Sequence, residues 1–378
     1  MTSTGVLTGE ERHGAALAAL GSSPATLRRF LDGYTPVAAW EAIAAGRHRA
    51  DPDRRYRHKA TSDTLDAVAA LCARTDIAVR VLGCPGYPGA LAADHQAPAV
   101  LFVRGDVDVL EGRPRVALVG TRAATPYGLG VAAELGRDLA SAGVVVVSGL
   151  ARGIDAAAHA GVLGAEAGAP PVGVVGTSLD TPAQGARATL HAAVAARGAL
   201  LSEVPPGGPS ARWWFAVRNR VMAALAHVVV VVECHHRGGS LHTVDAAEQR
   251  GVTVAAVPGS VRSPASAGSN RLIADGAVLV RDAQDVLTAI ELAIASDSGI
   301  APPGRRGAHG RRVAGAAARP ALSAVARRVR RAIDHDPATL ESIVKRCGLA
   351  IGEVSLALEQ LAEAGLAVGV LGWWSRPR

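Results

Sequence analysis

The amino-acid sequence predicts an α/β protein whose largest part is a doubly wound, mainly parallel sheet. Two short apolar runs, residues 116–119 and 144–147, each stop at a Gly or a Ser, as buried parallel strands do. Apolar residues recur at helical spacing after each run, first from Pro126 and then from Ile154. This alternation predicts crossover helices between parallel strands, with functional loops at the carboxyl ends of the strands.

The same alternation extends over most of the chain. Further apolar runs predict strands at residues 79–82, 100–103, 171–175, 198–201, 227–232, 252–257 and 272–280. Helices are predicted over residues 189–197 and 286–294. Two more are predicted between them, one that begins at Arg218 and another that ends near Arg250. The sheet therefore occupies the middle of the chain.

Composition and pattern divide the chain into four parts. Residues 1–75 predict a small helical, SAM-like domain, and residues 76–295 predict the Rossmann-like sheet domain. Residues 296–320 are rich in Gly, Pro, Ala and Arg, which predicts a flexible basic linker. Residues 321–378 predict a winged-helix domain, because three helical patterns are followed by a hairpin pattern.

The third helix of the winged-helix domain, residues 351–363, is where such a domain reads a DNA groove, but it carries no Arg or Lys. Its acidic residues are Glu353, Glu359 and Glu363, which would repel phosphates. The basic residues lie instead on the first helix, at Arg327, Arg328, Arg330 and Arg331. We therefore expect a module for protein interaction or dimerisation, with nonspecific DNA contact at most.

The overall charge is basic, with 40 Lys and Arg against 33 Asp and Glu, a formal net charge of +7. A basic excess suits a nucleic-acid partner, but abundant Arg and Ala also follow from a biased nucleotide composition, so the placement of Arg carries more weight. Four scattered cysteines without a CxxC pair predict no disulfide framework and no zinc site. The sequence shows no signal peptide and no apolar run that could span a membrane, so a cytoplasmic location without a membrane partner is expected.

Arginines and small polar residues gather where the predicted strands end. They are Gly120, Thr121 and Arg122; Ser148, Gly149 and Arg152; Arg218, Asn219 and Arg220; and Gly239, Ser240 and Thr243. Because the carboxyl ends of parallel strands share one edge of a sheet, these loops are expected to converge, and Gly N–H groups and Arg side chains bind phosphate. The loops therefore predict a groove for a polyanion. Some of the arginines are expected to pair instead with Asp155, Glu203 or Glu233.

Three aromatic residues lie beside this basic set. Trp213, Trp214 and Phe215 follow Arg212, and aromatic residues interleaved with basic ones suit single-strand binding by base stacking. The alternative is that two of the three rings fill the core. His159 lies in an Ala-rich helical pattern and is expected to be a buried, hydrogen-bonded histidine and not a catalytic base.

No cofactor or metal site is predicted. Gly128, Gly130 and Ala133 match the GxGxxA pattern, but they lie too far beyond the strand end, and no acidic residue ends the next strand to hold a ribose. The sequence has no GxxxxGK[ST] loop, no nucleophile–His–acid spacing and no cluster of metal ligands. A binding protein that is not an enzyme and uses no cofactor is expected.

These motifs together resemble the DNA-processing protein A family, also called DprA or Smf. The resemblance rests on Gly120-Thr-Arg122, Pro126-Tyr-Gly128, the run from Ser148 to Asp155 with His159, Arg218-Asn-Arg220, the run from Gly239 to Thr243, and residues 257–259 and 270–277. It implies a protein that binds single-stranded DNA and loads the RecA recombinase during natural transformation. Its implied partners are single-stranded DNA, a RecA-type recombinase and a second copy of the chain. Arg122 falls on the family's DNA-binding arginine, and Arg218 and Arg220 fall on its Arg-Asn-Arg motif.

The chain departs from the family pattern at three places. Thr121 replaces a Ser, Ala216 replaces a Pro, and residues 180–183 replace a motif that contains Tyr-Pro. These changes concern the rim of the expected groove and not the fold.

Two other functions stay open. Related doubly wound folds include phosphoribohydrolases that cleave nucleoside monophosphates, but those enzymes need a PGGxGT loop, and residues 237–243 read Arg-Gly-Gly-Ser-Leu-His-Thr without the leading Pro. The winged-helix pattern suits a transcription regulator, which tight and sequence-dependent duplex binding would favour.

Overall fold

The computed structural model describes residues 7–181, 183–209, 211–236, 238–297, 324–333, 338–363, 366–370 and 373–375. They form two compact units, one within residues 1–303 and the other within residues 304–378. The predicted linker, apart from residues 296 and 297, lies outside the described residues. The predicted domain boundaries at residues 75, 295 and 320 stay predictions.

A single sheet forms the centre of the first unit. Its strands are β1 (Ala78–Val81), β2 (Val100–Gly105), β3 (Arg115–Val119), β4 (Val145–Ser148), β5 (Val172–Val175), β6 (Ala199–Ser202), β7 (Val228–Val231), β8 (Thr253–Ala256) and β9 (Val278–Leu279). The order across the sheet is β1-β2-β6-β5-β4-β3-β7-β8-β9. The strands from β6 to β9 in this order are parallel, whereas β2 pairs antiparallel with both β1 and β6. The predicted mainly parallel fold is confirmed.

Helices cover both faces of the sheet. They are α1 (Gly9–Ala19), α2 (Pro24–Leu31), α3 (Pro36–Ala44), α4 (Ser62–Arg74), α5 (Gly89–Ala92), α6 (Pro126–Ser141), α7 (Ile154–Gly164), α8 (Ala186–Arg197), α9 (Arg212–Leu225), α10 (Leu241–Glu248), α11 (Ala267–Ala274) and α12 (Ala283–Asp297). Side chains of strand β3 are buried on both faces of the sheet. Leu118 belongs to a buried cluster with residues of α6, α7 and α12, and Ala117 belongs to a cluster with residues of α9 and α10. This alternation is the period-two pattern of a strand buried on both sides. None of the helices that the structure describes combines the length and the apolar character needed to span a bilayer.

Helices α6 and α7 pack against each other at unusually short range. A Cβ atom on Gly136 would lie 2.2 Å from the backbone oxygen of Ala158, and one on Gly161 would lie 2.0 Å from that of Ala133. Only glycine permits this approach, because any side chain would push the two helices apart. The two helices follow β3 and β4 directly, so their packing fixes the loops at the ends of those strands.

The N-terminal helices share a core with one end of the sheet. Phe30 of α2 and Trp40 of α3 belong to the same buried cluster as Phe102 of β2 and Leu200 of β6. The helical character predicted for residues 1–75 is confirmed in α1 to α4. The four cysteines are free thiols in this structure, and Cys72, Cys234 and Cys347 are buried.

Two predicted elements differ from the structure. Residues 272–277 were predicted to belong to the sheet, but residues 267–274 form α11, and only Val278 and Leu279 join the sheet. The apolar run there is short, and such runs do not distinguish a strand from a buried helix. The helix predicted from Arg218 begins earlier, at Arg212, so the three aromatic residues are helical.

The second unit has the predicted winged-helix elements. It contains the helices α13 (Ala324–Ala332), α14 (Leu340–Cys347) and α15 (Ile351–Glu363), and the strands β10 (Ala338–Thr339), β11 (Val368–Val370) and β12 (Trp373–Ser375). The strands pair antiparallel in the order β10-β12-β11. Gly348, in the left-handed conformation, ends α14 and makes the turn into α15.

Candidate nucleic-acid interface

The loop after β3 is pinned to the end of β7. The backbone N–H of Thr121 donates a hydrogen bond to the backbone oxygen of Glu233 at 2.8 Å. Gly120 has no room for a side chain, because a Cβ atom would lie 2.5 Å from Cγ1 of Ile154. The loop therefore turns sharply, and it leaves the side chain of Arg122 exposed at the carboxyl edge of the sheet.

A buried carboxylate holds the other end of this loop. Glu233 accepts hydrogen bonds from the backbone N–H of Thr125 at 2.9 Å and from its hydroxyl at 2.6 Å. The Thr125 hydroxyl also accepts a bond from the backbone N–H of Gly128 and so caps α6, with Pro126 in the first turn. Thr125 is not among the residues predicted for the site, although a Thr-Pro pair before an apolar period is a recognisable signal for a helix start.

Arg122 meets an aromatic ring and a second arginine. Its guanidinium carbon lies 5.5 Å from the centre of the Phe215 ring, which is cation–π distance. The Nε of Arg152 donates a hydrogen bond to the backbone oxygen of Arg122 at 3.3 Å, and both guanidinium groups are exposed. Gly153 makes this contact between the loops possible: its φ is +90°, and a Cβ atom there would lie 2.3 Å from the backbone oxygen of Thr121.

The loop after β4 packs directly on α9. Ser148 is buried, and its hydroxyl donates a hydrogen bond to the backbone oxygen of Leu118 at 2.6 Å. Gly149 lies against the guanidinium of Arg218, so close that a Cβ atom would be 1.4 Å from one of its nitrogens. Leu150 follows with a φ of +54°, which is rare for a residue with a side chain. The loop is therefore shaped around Arg218.

Arg218 itself is an internal residue. It is 7% exposed, donates a hydrogen bond to the backbone oxygen of Val174 at 2.8 Å, and lies 3.5 Å from the carboxylate of Asp155. Burial raises the pKa of the Asp155 carboxyl, and Arg218 opposes this effect by favouring the charged form. The Nε of Arg218 has no hydrogen-bond partner within the described part of the chain.

Arg220, two residues further along α9, is held in a similar way. Its two terminal nitrogens donate to the backbone oxygen of Gln96 and to the carboxylate of Glu203, both at 2.6 Å. Burial raises the pKa of the Glu203 carboxyl, and the guanidinium of Arg220 opposes this rise. The expectation that some arginines pair with Asp155 and Glu203 is thus met by Arg218 and Arg220, whereas Arg122 and Arg152 stay exposed.

The loop before α10 completes the edge. A Cβ atom on Gly239 would meet nothing within 4 Å, and the backbone oxygen of Gly239 lies 3.5 Å from the side-chain nitrogen of Asn219. The hydroxyl of Ser240 donates to the Cys234 sulfur at 3.1 Å. Ser240 and Thr243 are both buried, so they hold the loop and do not face solvent.

The aromatic run at the start of α9 divides between core and surface. Trp214 is 9% exposed, Trp213 is 47% exposed, and Phe215 is half-buried beside Arg122. Arg212 is the first residue of α9, but its side chain lies outside the described part of the structure. Ala211, the residue before the helix, has no side-chain oxygen to cap it, so the first turn presents uncapped backbone N–H groups.

His159 is buried in α7, as expected, but without the expected hydrogen bond. Neither ring nitrogen has a hydrogen-bond partner of ordinary geometry among the described residues. Burial lowers its pKa to about 4, and the nearby backbone of Ser148 offsets only part of this effect. The imidazole is therefore buried and neutral at pH 7. The described part of the chain contains no group of three or more His, Cys, Asp or Glu residues arranged to hold a metal ion.

Comparison with known proteins identifies the family. The family model described as DNA recombination-mediator protein A matches residues 79–291, more than half of the chain. This protein belongs to that family, DprA. A second model, the DprA winged helix domain, matches residues 314–366. The resemblance inferred from the strand-end motifs is therefore confirmed.

Individual relatives cover most of the chain. A putative DNA processing protein DprA of Mycobacterium tuberculosis is 39% identical over 300 residues, which are 78% of this chain and 73% of that protein. The X-ray structure of DprA from Streptococcus pneumoniae matches with a TM-score of 0.65 at 30% identity, over 75% of this chain and 98% of that one. A DprA structure from Helicobacter pylori, described by its single-stranded DNA binding mode, matches with a TM-score of 0.50 at 26% identity, over 56% of this chain and 95% of that one.

Proposed function

We propose that this DprA-family protein binds single-stranded DNA at the carboxyl edge of its parallel sheet. One observation carries the proposal: the guanidinium of the exposed Arg122 lies over the Phe215 ring, and the exposed Arg152 is held to the backbone of Arg122. A phosphate and a base are the two repeating groups of a single strand, and this arrangement offers a partner to each. The single-stranded DNA binding mode described for the H. pylori relative supports the same ligand.

The proposed contacts differ among the residues of the edge. Arg122, Arg152 and Arg212 would bind phosphates, together with the backbone N–H of Gly239, and Phe215 would stack on a base. The uncapped start of α9 favours a phosphate at the same place. A second group of residues shapes the loops from inside and does not touch DNA: Gly120, Ser148, Gly149, Arg218, Arg220, Ser240 and Thr243.

A binding titration tests this proposal. We expect fluorescent oligothymidine to bind more tightly than a duplex of the same length, with affinity that falls as salt rises. Arg122→Ala should weaken binding to a similar extent for all sequences and reduce the log–log salt slope by about 0.7 for each lost phosphate contact.

Arg113→Ala is the matched control, because Arg113 is an exposed arginine just before β3, at the opposite edge of the sheet. It removes the same charge and should leave affinity and slope close to wild type. Equal losses in both variants would mean that the overall charge, and not this edge, attracts DNA.

We infer that the bound strand is handed to a RecA-type recombinase. The family description as a recombination mediator supports this role. The test is DNA strand exchange by RecA on single strands already covered by a single-strand-binding protein. The protein should shorten the lag before exchange, and Arg122→Ala should not; an unchanged lag with wild-type protein would contradict the proposed loading.

A homodimer is part of the proposal. Strand β9 is the last strand of the sheet, and its residues Val278 and Leu279 are exposed beside the exposed Leu292 of α12. An open strand edge with an apolar patch is a surface for pairing with a second copy. Leu279→Arg should shift the sedimentation of the protein from dimer to monomer, whereas Val261→Arg, at a residue that is 92% exposed elsewhere, should not.

The alternative functions give different results in simple assays. Release of free base from nucleoside monophosphates would reveal a phosphoribohydrolase, and we expect none. Tight, sequence-dependent binding to duplex DNA would indicate a transcription regulator, and we expect single strands to bind more tightly than any duplex.

A further inference from the structure

Trp213 is an exposed tryptophan in the first turn of α9. Its ring stacks on that of Trp214, with the ring centres 4.0 Å apart and an angle of 24° between the planes. Trp214 is almost completely buried, whereas nearly half of Trp213 is exposed to solvent. One face of the Trp213 ring is therefore covered by its neighbour, and the exposed area belongs to the rest of the ring.

The ring that Trp213 stacks on belongs to a buried residue, Trp214. Trp214 lines a small pocket together with Leu101 of β2, Val174 of β5 and Arg218. Gly176, just after β5, touches the backbone of Trp214 and Phe215, and a Cβ atom there would lie only 3.0 Å from both. The first turn of α9 is thus held on the sheet, and the ring of Trp213 needs little reordering to bind a planar group.

Trp213 and Phe215 present aromatic surfaces on different sides of the same turn. Successive residues of an α-helix are about 100° apart, so side chains two positions apart point in nearly opposite directions. Phe215 lies beside Arg122, and Trp213 lies across the start of the helix from it. A strand that passes over the start of α9 would meet one ring on each side.

We propose that the outer face of Trp213 is a second base-stacking site for the single strand that Arg122 and Phe215 bind. Its ligand is a nucleobase of any type, because every base has a π-face for stacking. This inference rests on the proposed function, and it extends the binding site to the far side of α9. An exposed aromatic ring also suits a protein contact, and the experiment below separates the two.

The test compares two oligonucleotides that differ only in their bases. One is oligothymidine, and the other is an abasic strand of the same length, with the same phosphates and no bases. Trp213→Leu keeps an apolar side chain against Trp214 and removes the aromatic ring. Loss of stacking to one base corresponds to roughly 5- to 150-fold weaker binding.

We expect Trp213→Leu to weaken oligothymidine binding by such a factor and to leave the affinity for the abasic strand and the salt slope unchanged. Trp213→Tyr should restore most of the oligothymidine affinity, because it restores an aromatic face. Arg122→Ala, in contrast, should weaken binding to both strands, since both carry phosphates. Thermal unfolding of each variant verifies that the sheet domain is intact.

The failures are distinguishable. If wild-type protein does not bind oligothymidine, the proposed function itself fails. If wild-type protein binds and Trp213→Leu binds equally well, the stacking site is overturned and the Arg122 site stands. An equal loss of affinity for both strands would also overturn the stacking site. A change in sedimentation or in RecA-dependent strand exchange without a change in DNA affinity would overturn it too, because Trp213 would then belong to a protein contact.

Discussion

At the scale of single residues, Gly149 matters because it has no side chain and so leaves room for its neighbour Arg218. The sequence pattern predicts that Gly149 lies in a phosphate-binding loop, but its Cα faces the buried Arg218 guanidinium. Its small size allows Arg218 to reach Val174 and Asp155 beneath the loop. The glycine therefore acts through Arg218, and its effect on DNA binding is indirect.

Gly149→Ala should destabilise the protein strongly. The new Cβ atom would overlap the guanidinium, so Arg218 must move and leave Asp155 buried without its partner. Removing one partner of a buried ion pair costs about 3–5 kcal/mol of unfolding free energy, which urea unfolding measures. Gly130→Ala is the control: Gly130 lies in α6 with no atom near its Cα, so alanine should stabilise by about 1 kcal/mol or less. Equal stability of the two variants would contradict this role of Gly149.

His159 should make the stability of the sheet domain depend on pH. Its pKa in the folded protein is about 4, below the ordinary 6.5, so protons favour the unfolded chain. The contribution of the neutral imidazole to the free energy of unfolding is present in full above about pH 6.5. It is lost as the pH falls towards 4, and the loss amounts to about 3 kcal/mol.

His159→Leu should therefore flatten the fall in unfolding free energy between pH 7 and pH 5, measured by urea unfolding at each pH. His58→Leu, at an exposed histidine, is the control and should keep the wild-type slope. Parallel curves for wild type and His159→Leu would show that the buried imidazole is not the source of the pH dependence.

The sequence identified the arginines of the edge but not which of them reach the surface. Arg122 and Arg218 both lie in motifs that suit phosphate binding, and only one is exposed. The difference depends on Asp155, which is 63 residues from Arg218 in the chain and meets it only in the fold. Local pattern shows the residue type, whereas burial depends on such distant partners.

At the scale of elements, α9 is the part that the sequence predicted least well. The run Trp213-Trp214-Phe215 has no helical period of its own, so the helix was predicted to begin at Arg218. Its first turn forms because Trp214 is buried against the sheet and the loop at Gly176 packs on its backbone. Tertiary packing of this kind overrides local propensity. The same limit explains α11, whose apolar residues Leu272 and Ile273 pack against the core of the sheet.

Arg220 should anchor α9 without contacting DNA. Arg220→Ala would leave the buried Glu203 carboxylate unpaired, so the unfolding free energy should fall by about 3–5 kcal/mol. Adding Glu203→Gln should recover part of the loss, because an amide needs no counter-charge. The folded double variant should keep the wild-type salt slope for oligothymidine. A reduced slope would show instead that Arg220 contacts phosphate, as its motif implied.

At the scale of the whole molecule, the parallel part of the sheet was predictable and its antiparallel extension was not. Strands β3 to β9 follow one another with helices between them, and this alternation alone indicates parallel pairing. Strand β2 instead pairs with β6, with Phe102 opposite Ser202, about a hundred residues later in the chain. Sequence pattern shows that a strand exists, but not which edge of the sheet it joins.

The role of the winged-helix unit as a protein-interaction module stays a prediction, and the exposed surface of α15 is consistent with it. Helix α15 exposes Ile351 and Leu356, which are 59% and 58% exposed, together with Glu353 and Gln360. An apolar and acidic surface suits a protein partner and repels phosphates. On α13, Arg328 is exposed, whereas the side chains of Arg327 and Arg331 lie outside the described residues.

A chain that ends near residue 320 should therefore keep most of the single-strand affinity. The proposed contacts, from Arg122 to Gly239, all lie within the first compact unit. The truncated protein should bind oligothymidine with nearly the wild-type affinity, and circular dichroism should show an intact sheet domain. This truncation keeps the basic linker and its nonspecific contacts. Any loss of affinity for oligothymidine would therefore result from removal of the winged-helix unit. Abolished binding with a folded sheet domain would contradict the assignment and place the main DNA contacts in that unit.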